Sequence, residues 1–184
     1  MVPLSTVFFG FVILFAIVGA LRGWMKELLV TFSVVLARFI EVIGLLYVPI
    51  VDAYFTQLRQ NDEPAWFYLR LFIFGILVAA GYATTRVSTS LGARARKEEF
   101  QDTLLGLFLG LINGYLITGY VWTFMHELGY NIWGITGPQA ETVQNMIDRY
   151  LPGAWLESNV PPENPVILFI AVAVSFSFVL IVFV

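Results

Sequence analysis

The stretch 102–119, D-T-L-L-G-L-F-L-G-L-I-N-G-Y-L-I-T-G, constrains the fold more than any other part of the chain. After Asp102 it carries no charge, yet it places glycine at 106, 110 and 114. Four residues are slightly more than one helical turn, so in a helix the three glycines share nearly one face. Asn113, seven positions after Gly106, falls on that face too. Lipid gains nothing from such a surface. A neighbouring helix does, because absent side chains let two backbones approach closely. Gly106, Gly110, Asn113 and Gly114 are therefore the expected helix-packing seam, and this helix is the expected spine of the fold.

Composition supports a bilayer setting. The 184 residues are 59% hydrophobic and 12% charged, whereas a soluble domain lies nearer half apolar and a quarter charged. The expected fold class is all-α: a polytopic membrane helical bundle forming a single integral membrane domain over 1–184. Five transmembrane helices are read at about 4–21, 27–51, 66–90, 103–126 and 165–184. One interfacial amphipathic helix is read at about 138–151.

The first span has no Lys or Arg before it, and Arg22 and Lys26 follow it. A cleavable signal peptide has the opposite charge order, so an uncleaved helix with its N-terminus outside is expected. Residues 52–65 read as a polar connection ending in Pro64. Trp66, Phe67 and Tyr68 read as an aromatic belt, with Arg70 close enough to the helix end to snorkel. In the interfacial segment Val143, Met146, Ile147, Tyr150 and Leu151 recur at helical spacing, Pro138 suits a first helical position and Pro152 marks a stop. Trp133 and Trp155 flank it, which suits a helix lying on the bilayer surface.

Positive charge sets the expected orientation. Arg22, Lys26, Arg86, Arg94, Arg96 and Lys97 fall in the connections after the first and third spans, against Arg59, Arg70 and Arg149 on the other side. The richer side belongs in the cytoplasm, placing the N-terminus outside and the C-terminus inside.

Two charges sit within the second span, Arg38 and Glu41. Each costs roughly 2.5–3.5 kcal/mol to insert alone, and three residues apart on a helix they can reach one another. Glu27, Thr31, Arg38 and Glu41 fall within about 80° of one another around the helix. This stripe must face protein or a water-filled space: a self-neutralising structural pair, an ion or proton relay, or a contact with a partner subunit.

Catalysis finds no foothold. Cysteine is absent, which removes disulfides, thiolate metal sites and a cysteine nucleophile. His126 is a weak candidate for axial ligation of a haem or chlorophyll, but it has no ligand companion at i+3 or i+4. A helix-end residue is its expected role. The serines lack a nucleophile elbow, and glycines inside an apolar helix are not a phosphate-cradling loop. No enzyme activity, cofactor or metal is expected, and no basic stripe invites nucleic acid.

Two stretches resemble the colicin V production protein family of bacterial membrane proteins, over about residues 5–125. One is R-G-W-M-K-E, just after the first span, where the family has an Arg-Gly pair followed by a basic and an acidic residue: Arg22, Gly23, Lys26 and Glu27 here. The other is D-T-L-L-G-L-F-L-G-L-I-N-G, similar to the family's Asp-Arg-Leu-Leu-Gly helix and beginning at Asp102. Thr103 and Asn113 stand where the family usually has arginines, and the fifth helix extends beyond its usual four spans. The resemblance implies a bacterial inner-membrane protein linked to colicin export and envelope function. Together with the departures, it leads us to expect an accessory or scaffold subunit of a larger membrane complex. The partners expected are the bilayer and other membrane subunits, met through the glycine face or the fifth helix. The alternative is an export protein or minimal transporter using the Arg38–Glu41 stripe.

Overall fold

Pro49 divides what the sequence presents as one long apolar run. Proline has no backbone N–H to donate and cannot continue a helix through its own position, but it suits a first turn. Helix α2 (Trp24–Tyr47) therefore ends with the Val48 N–H on the Gly44 carbonyl at 3.1 Å, and α3 (Pro49–Asn61) starts afresh with Pro49 in its first turn. This corrects two expectations. The second span stops at 47 rather than 51, and 52–65 is largely a helix rather than an irregular connection. Val51, Phe55 and Leu58, at i, i+4 and i+7, form the half-buried stripe of α3, a periodicity that its polar residues disguise.

The computed structural model describes residues 3–83, 99–130, 132–133, 135, 137–138, 141–157 and 165–183. Helix α1 (Leu4–Arg22) meets α2 at Gly23, whose φ of +85° lies in a region that L side chains rarely adopt. Helix α4 (Glu63–Ala83) begins two residues after α3, where the Asp62 carboxylate accepts the Ala65 N–H at 3.0 Å. Helix α5 (Glu99–Glu127) carries the glycine ladder. Helices α6 (Glu141–Tyr150), α7 (Pro152–Leu156) and α8 (Val166–Phe183) follow. No strand occurs among the described residues. The 84–98 part of the chain, with Arg86, Arg94, Arg96 and Lys97, lies outside the described residues, as does the far end expected for the third span.

Helices α1, α2, α4 and α5 are long and apolar enough to cross a membrane; α8 is apolar but shorter. The fold is thus a polytopic membrane helical bundle. Its centre is α2, which touches α1, α3, α4, α5 and α8. Helix α5 touches α1, α2, α4 and α7, and its ladder face serves α1. Val30, Val34, Phe67, Phe74, Tyr120 and Phe124 fill the space between α2, α4 and α5. Phe74 and Phe124 meet edge to face at 5.7 Å, an arrangement favoured by the ring quadrupoles. Helix α8 lies on α2 through Phe39–Phe169 and Phe32–Phe176.

The interfacial segment also differs in detail. Helix α6 starts at Glu141, so Pro138 precedes it, and Pro152 opens α7 rather than ending helical structure. Of its apolar stripe, Ile147 and Leu151 are buried and Val143 half-buried, while Met146 and Tyr150 stay exposed. The Tyr115 hydroxyl donates to the Tyr150 carbonyl and accepts the Trp155 Nε1–H at 2.8 Å, which ties this segment to α5.

Candidate functional site

The charges of α2 sort into two polar layers. Glu27 and Arg38 are eleven residues apart, which on a helix is about 16 Å, so the single stripe of the sequence becomes two separate sites.

At the first, Gly23 links α1 to α2 and leaves room for Asp102 of α5: a Cβ there would stand 2.6 Å from the Asp102 Oδ2. Asp102 accepts the Trp24 N–H at 3.2 Å, which satisfies one orphan donor of α2 and sets a negative charge at its positive end. Arg22 faces Glu27 at 3.5 Å, donates to the Tyr82 carbonyl at 3.2 Å and lies over the Tyr82 ring. Asn113 donates to the Glu27 carboxylate at 2.8 Å and to the Glu27 carbonyl at 2.9 Å. The Thr31 hydroxyl lies within hydrogen-bond distance of Asn113 Oδ1 and the Glu27 carbonyl. The two sequence motifs, 80 residues apart, thus meet in space. Lys26 is half-buried and forms no ion pair among the described residues.

Beside this layer runs the seam. A Cβ on Gly110 would stand 2.5 Å from the Phe15 carbonyl oxygen and 3.0 Å from the Gly19 Cα; one on Gly114 would stand 3.0 Å from the Val12 Cα. Gly106 abuts Gly19 in the same way, and Ala16 and Gly19 are buried on the α1 side. Gly106, Gly110 and Gly114 therefore receive α1. Asn113, at the edge of the face, turns to α2 instead. A second close approach was not evident from spacing: a Cβ on Gly81 of α4 would stand 2.5 Å from the Ser33 Oγ of α2.

The second layer lies toward the other end of the bundle. Arg38 donates through Nε and Nη2 to Glu157 at 2.8 and 2.6 Å, and through Nη1 to Glu41. The other oxygen of Glu41 accepts from Arg70 Nε at 2.5 Å, and Arg70 Nη1 reaches Glu127. Five side chains thus alternate in sign, Glu157–Arg38–Glu41–Arg70–Glu127, and join α2, α4, the end of α5 and the residue after α7. Both guanidinium groups stack on the Phe124 ring, at 4.9 Å for Arg38 and 4.3 Å for Arg70. The position of Arg70 corrects the snorkelling expectation: it is only 4% exposed, because Glu41 and Glu127 supply in the protein what the interface would have supplied in water. The layer borders a cavity of about 470 Å³ whose walls include Arg38, Arg59, Arg70, Glu127 and Glu157.

Arg70, Glu127 and Glu157 were not read as partners of Arg38 and Glu41. Arg70 carried a signal, a charge two turns inside an apolar span. Glu157 carried none, since only folding brings it 119 positions back to Arg38. His126 is exposed at the end of α5, with Nδ1 3.2 Å from the Tyr130 hydroxyl. Among the described residues no group of His, Asp and Glu is arranged to hold a metal ion.

No curated protein and no solved structure matches the chain. The family model described as colicin V production protein matches residues 4–150, from the start of α1 to the end of α6, and the chain therefore belongs to that family.

Proposed function

We propose that this protein is a non-enzymatic scaffold, an accessory subunit of an assembly in the bacterial inner membrane that serves colicin V production or the envelope more broadly. The observation that carries this reading is the alternating chain of five charges, in which each of the two buried arginines is engaged by two carboxylates. Such a network holds α2, α4, α5 and α7 in one register, and it offers no unpaired buried carboxylate to a travelling proton. In this reading α8 is a fifth crossing with the C-terminus inside. The glycine face is filled by α1 within the chain, which leaves α8, apolar along its length and joined chiefly to α2, as the surface for a neighbouring subunit.

A second reading is favoured by the cavity beside the network: a minimal transporter whose path runs past Arg38 and Glu41. The double variant Arg38→Leu/Glu41→Leu separates the two. A scaffold should lose most in Arg38→Leu, which strands Glu41 and Glu157, and regain part of that loss in the double, which removes the stranded Glu41. Co-purification of partner subunits in mild detergent should then persist. If the double variant assembles normally but abolishes a flux that the natural sequence shows in proteoliposomes, transport replaces the scaffold reading.

A further inference from the structure

The cavity beside the second layer has two exposed groups of opposite sign on its wall, each with hydrogen-bonding capacity to spare. Arg59 of α3 stacks over Trp66 at 5.0 Å and has no hydrogen-bond or ion-pair partner among the described residues. Glu127 gives one oxygen, Oε2, to Arg70; its Oε1 accepts nothing among the described residues, and the side chain is 35% exposed. Arg59 and Glu127 do not pair with each other. The exposed cation lies on a fixed platform, because Trp66 is buried and also carries Arg70 on its ring at 4.5 Å.

Charge and polarity narrow what such a space accepts. The wall carries Arg38, Arg59 and Arg70 against Glu127 and Glu157, and the buried Glu41 behind it neutralises the third charge by bridging Arg38 and Arg70, so a ligand of net charge leaves an imbalance and a zwitterion does not. Val42, Leu45 and Leu46, on the last two turns of α2, form an apolar wall against the charged one, and Leu46 is 45% exposed. A small soluble ion has no use for that wall, whereas an acyl chain gains from covering it. Guanidinium groups are suited to phosphate oxygens, and a carboxylate oxygen to an ammonium donor.

We propose that this cavity binds the headgroup of one phospholipid carrying a phosphodiester and a primary ammonium, with the phosphate on Arg59, the ammonium on Glu127 Oε1 and an acyl chain along Val42, Leu45 and Leu46. The free headgroup, phosphoethanolamine, shares the polar chemistry but not the apolar contact. The site does not depend on the scaffold reading, since a transporter with the same cavity would hold the same lipid.

Native mass spectrometry of the delipidated full chain, titrated with single lipids, tests it. The natural sequence should retain one phosphatidylethanolamine, and should hold phosphatidylglycerol and phosphatidylcholine about tenfold more weakly, the worth of one charged hydrogen bond. Arg59→Gln should weaken phosphatidylethanolamine by about tenfold and leave the fold intact, because Arg59 lies outside the buried network; Arg149→Gln should change nothing. Glu127→Gln should erase most of the preference for the primary ammonium over its trimethylated form. Equal retention by Arg59→Gln and the natural sequence would overturn the site. Displacement by soluble phosphoethanolamine at the concentration at which the lipid itself saturates would overturn the lipid as its occupant.

Discussion

Arg38 and Glu41 differ in what their loss leaves behind. Without Arg38, Glu157 loses its ion-pair partner and Glu41, buried, is left to share Arg70 with Glu127; breaking a buried pair in this way costs about 3–5 kcal/mol. Without the Glu41 charge, Arg38–Glu157 and Arg70–Glu127 survive as two complete pairs. Glu41→Gln should therefore cost less, about 1–3 kcal/mol. Equilibrium unfolding in mixed micelles should give that order, and the reverse order would show that the network is not organised around its two arginines. Gly23 makes a second case. With φ at +85° and Asp102 against its missing Cβ, Gly23→Ala should destabilise by about 1–3 kcal/mol. Gly10→Ala, in α1 with open space around it, should be neutral or stabilising by up to about 1 kcal/mol. Equal thermal shifts for the two would remove the conformational argument.

Among elements, the α1–α5 contact rests on backbone proximity, with little side-chain interdigitation at the glycines. Gly110→Leu drives a side chain into the Phe15 carbonyl and the Gly19 backbone, an overpacking that typically costs about 1–3 kcal/mol. Gly75→Leu makes the same chemical change on α4 with nothing within 4 Å, so it should leave the melting temperature nearly unchanged. If the two variants melted alike, α1 would not be seated on the ladder. The α2–α3 break belongs to this scale as well. Proline at position 49 turns a polar segment into a separate amphipathic helix, and that helix places Arg59 over the cavity.

For the whole molecule, the positive-inside reading and the two polar layers make a joint expectation. On that reading the layer of Arg22, Glu27 and Asp102 is expected at the cytoplasmic end, and the layer of Arg38, Arg70 and Glu157 at the outer end with α3, α6 and α7. The chain has no cysteine of its own, so single cysteines report cleanly. Thr56→Cys on α3 should react with an impermeant thiol reagent added outside intact cells, and Ala95→Cys should react only after the membrane is opened. Labelling of position 95 from outside would invert the orientation.

Hydrophobic runs, glycine spacing and helical register were enough to anticipate a membrane bundle, the closeness of one helix pair and the contact between Arg38 and Glu41. These are local properties: a span is legible because its length must match the bilayer, and a glycine face because 3.6 residues make a turn. The Arg22–Gly23 and Asp102 motifs could be recognised as short strings, yet not as one site. What the tertiary structure alone decided is which polar groups meet. Arg70 reads as a snorkelling end until α2 presents Glu41 to it, and Glu157, the residue after α7, carries no signal at all. The reason is physical. A buried charge requires a partner but does not say where in the chain that partner lies, and packing of α4 against α2 and α5, with Glu157 brought to α2 just after α7, supplies partners 29 to 119 positions away.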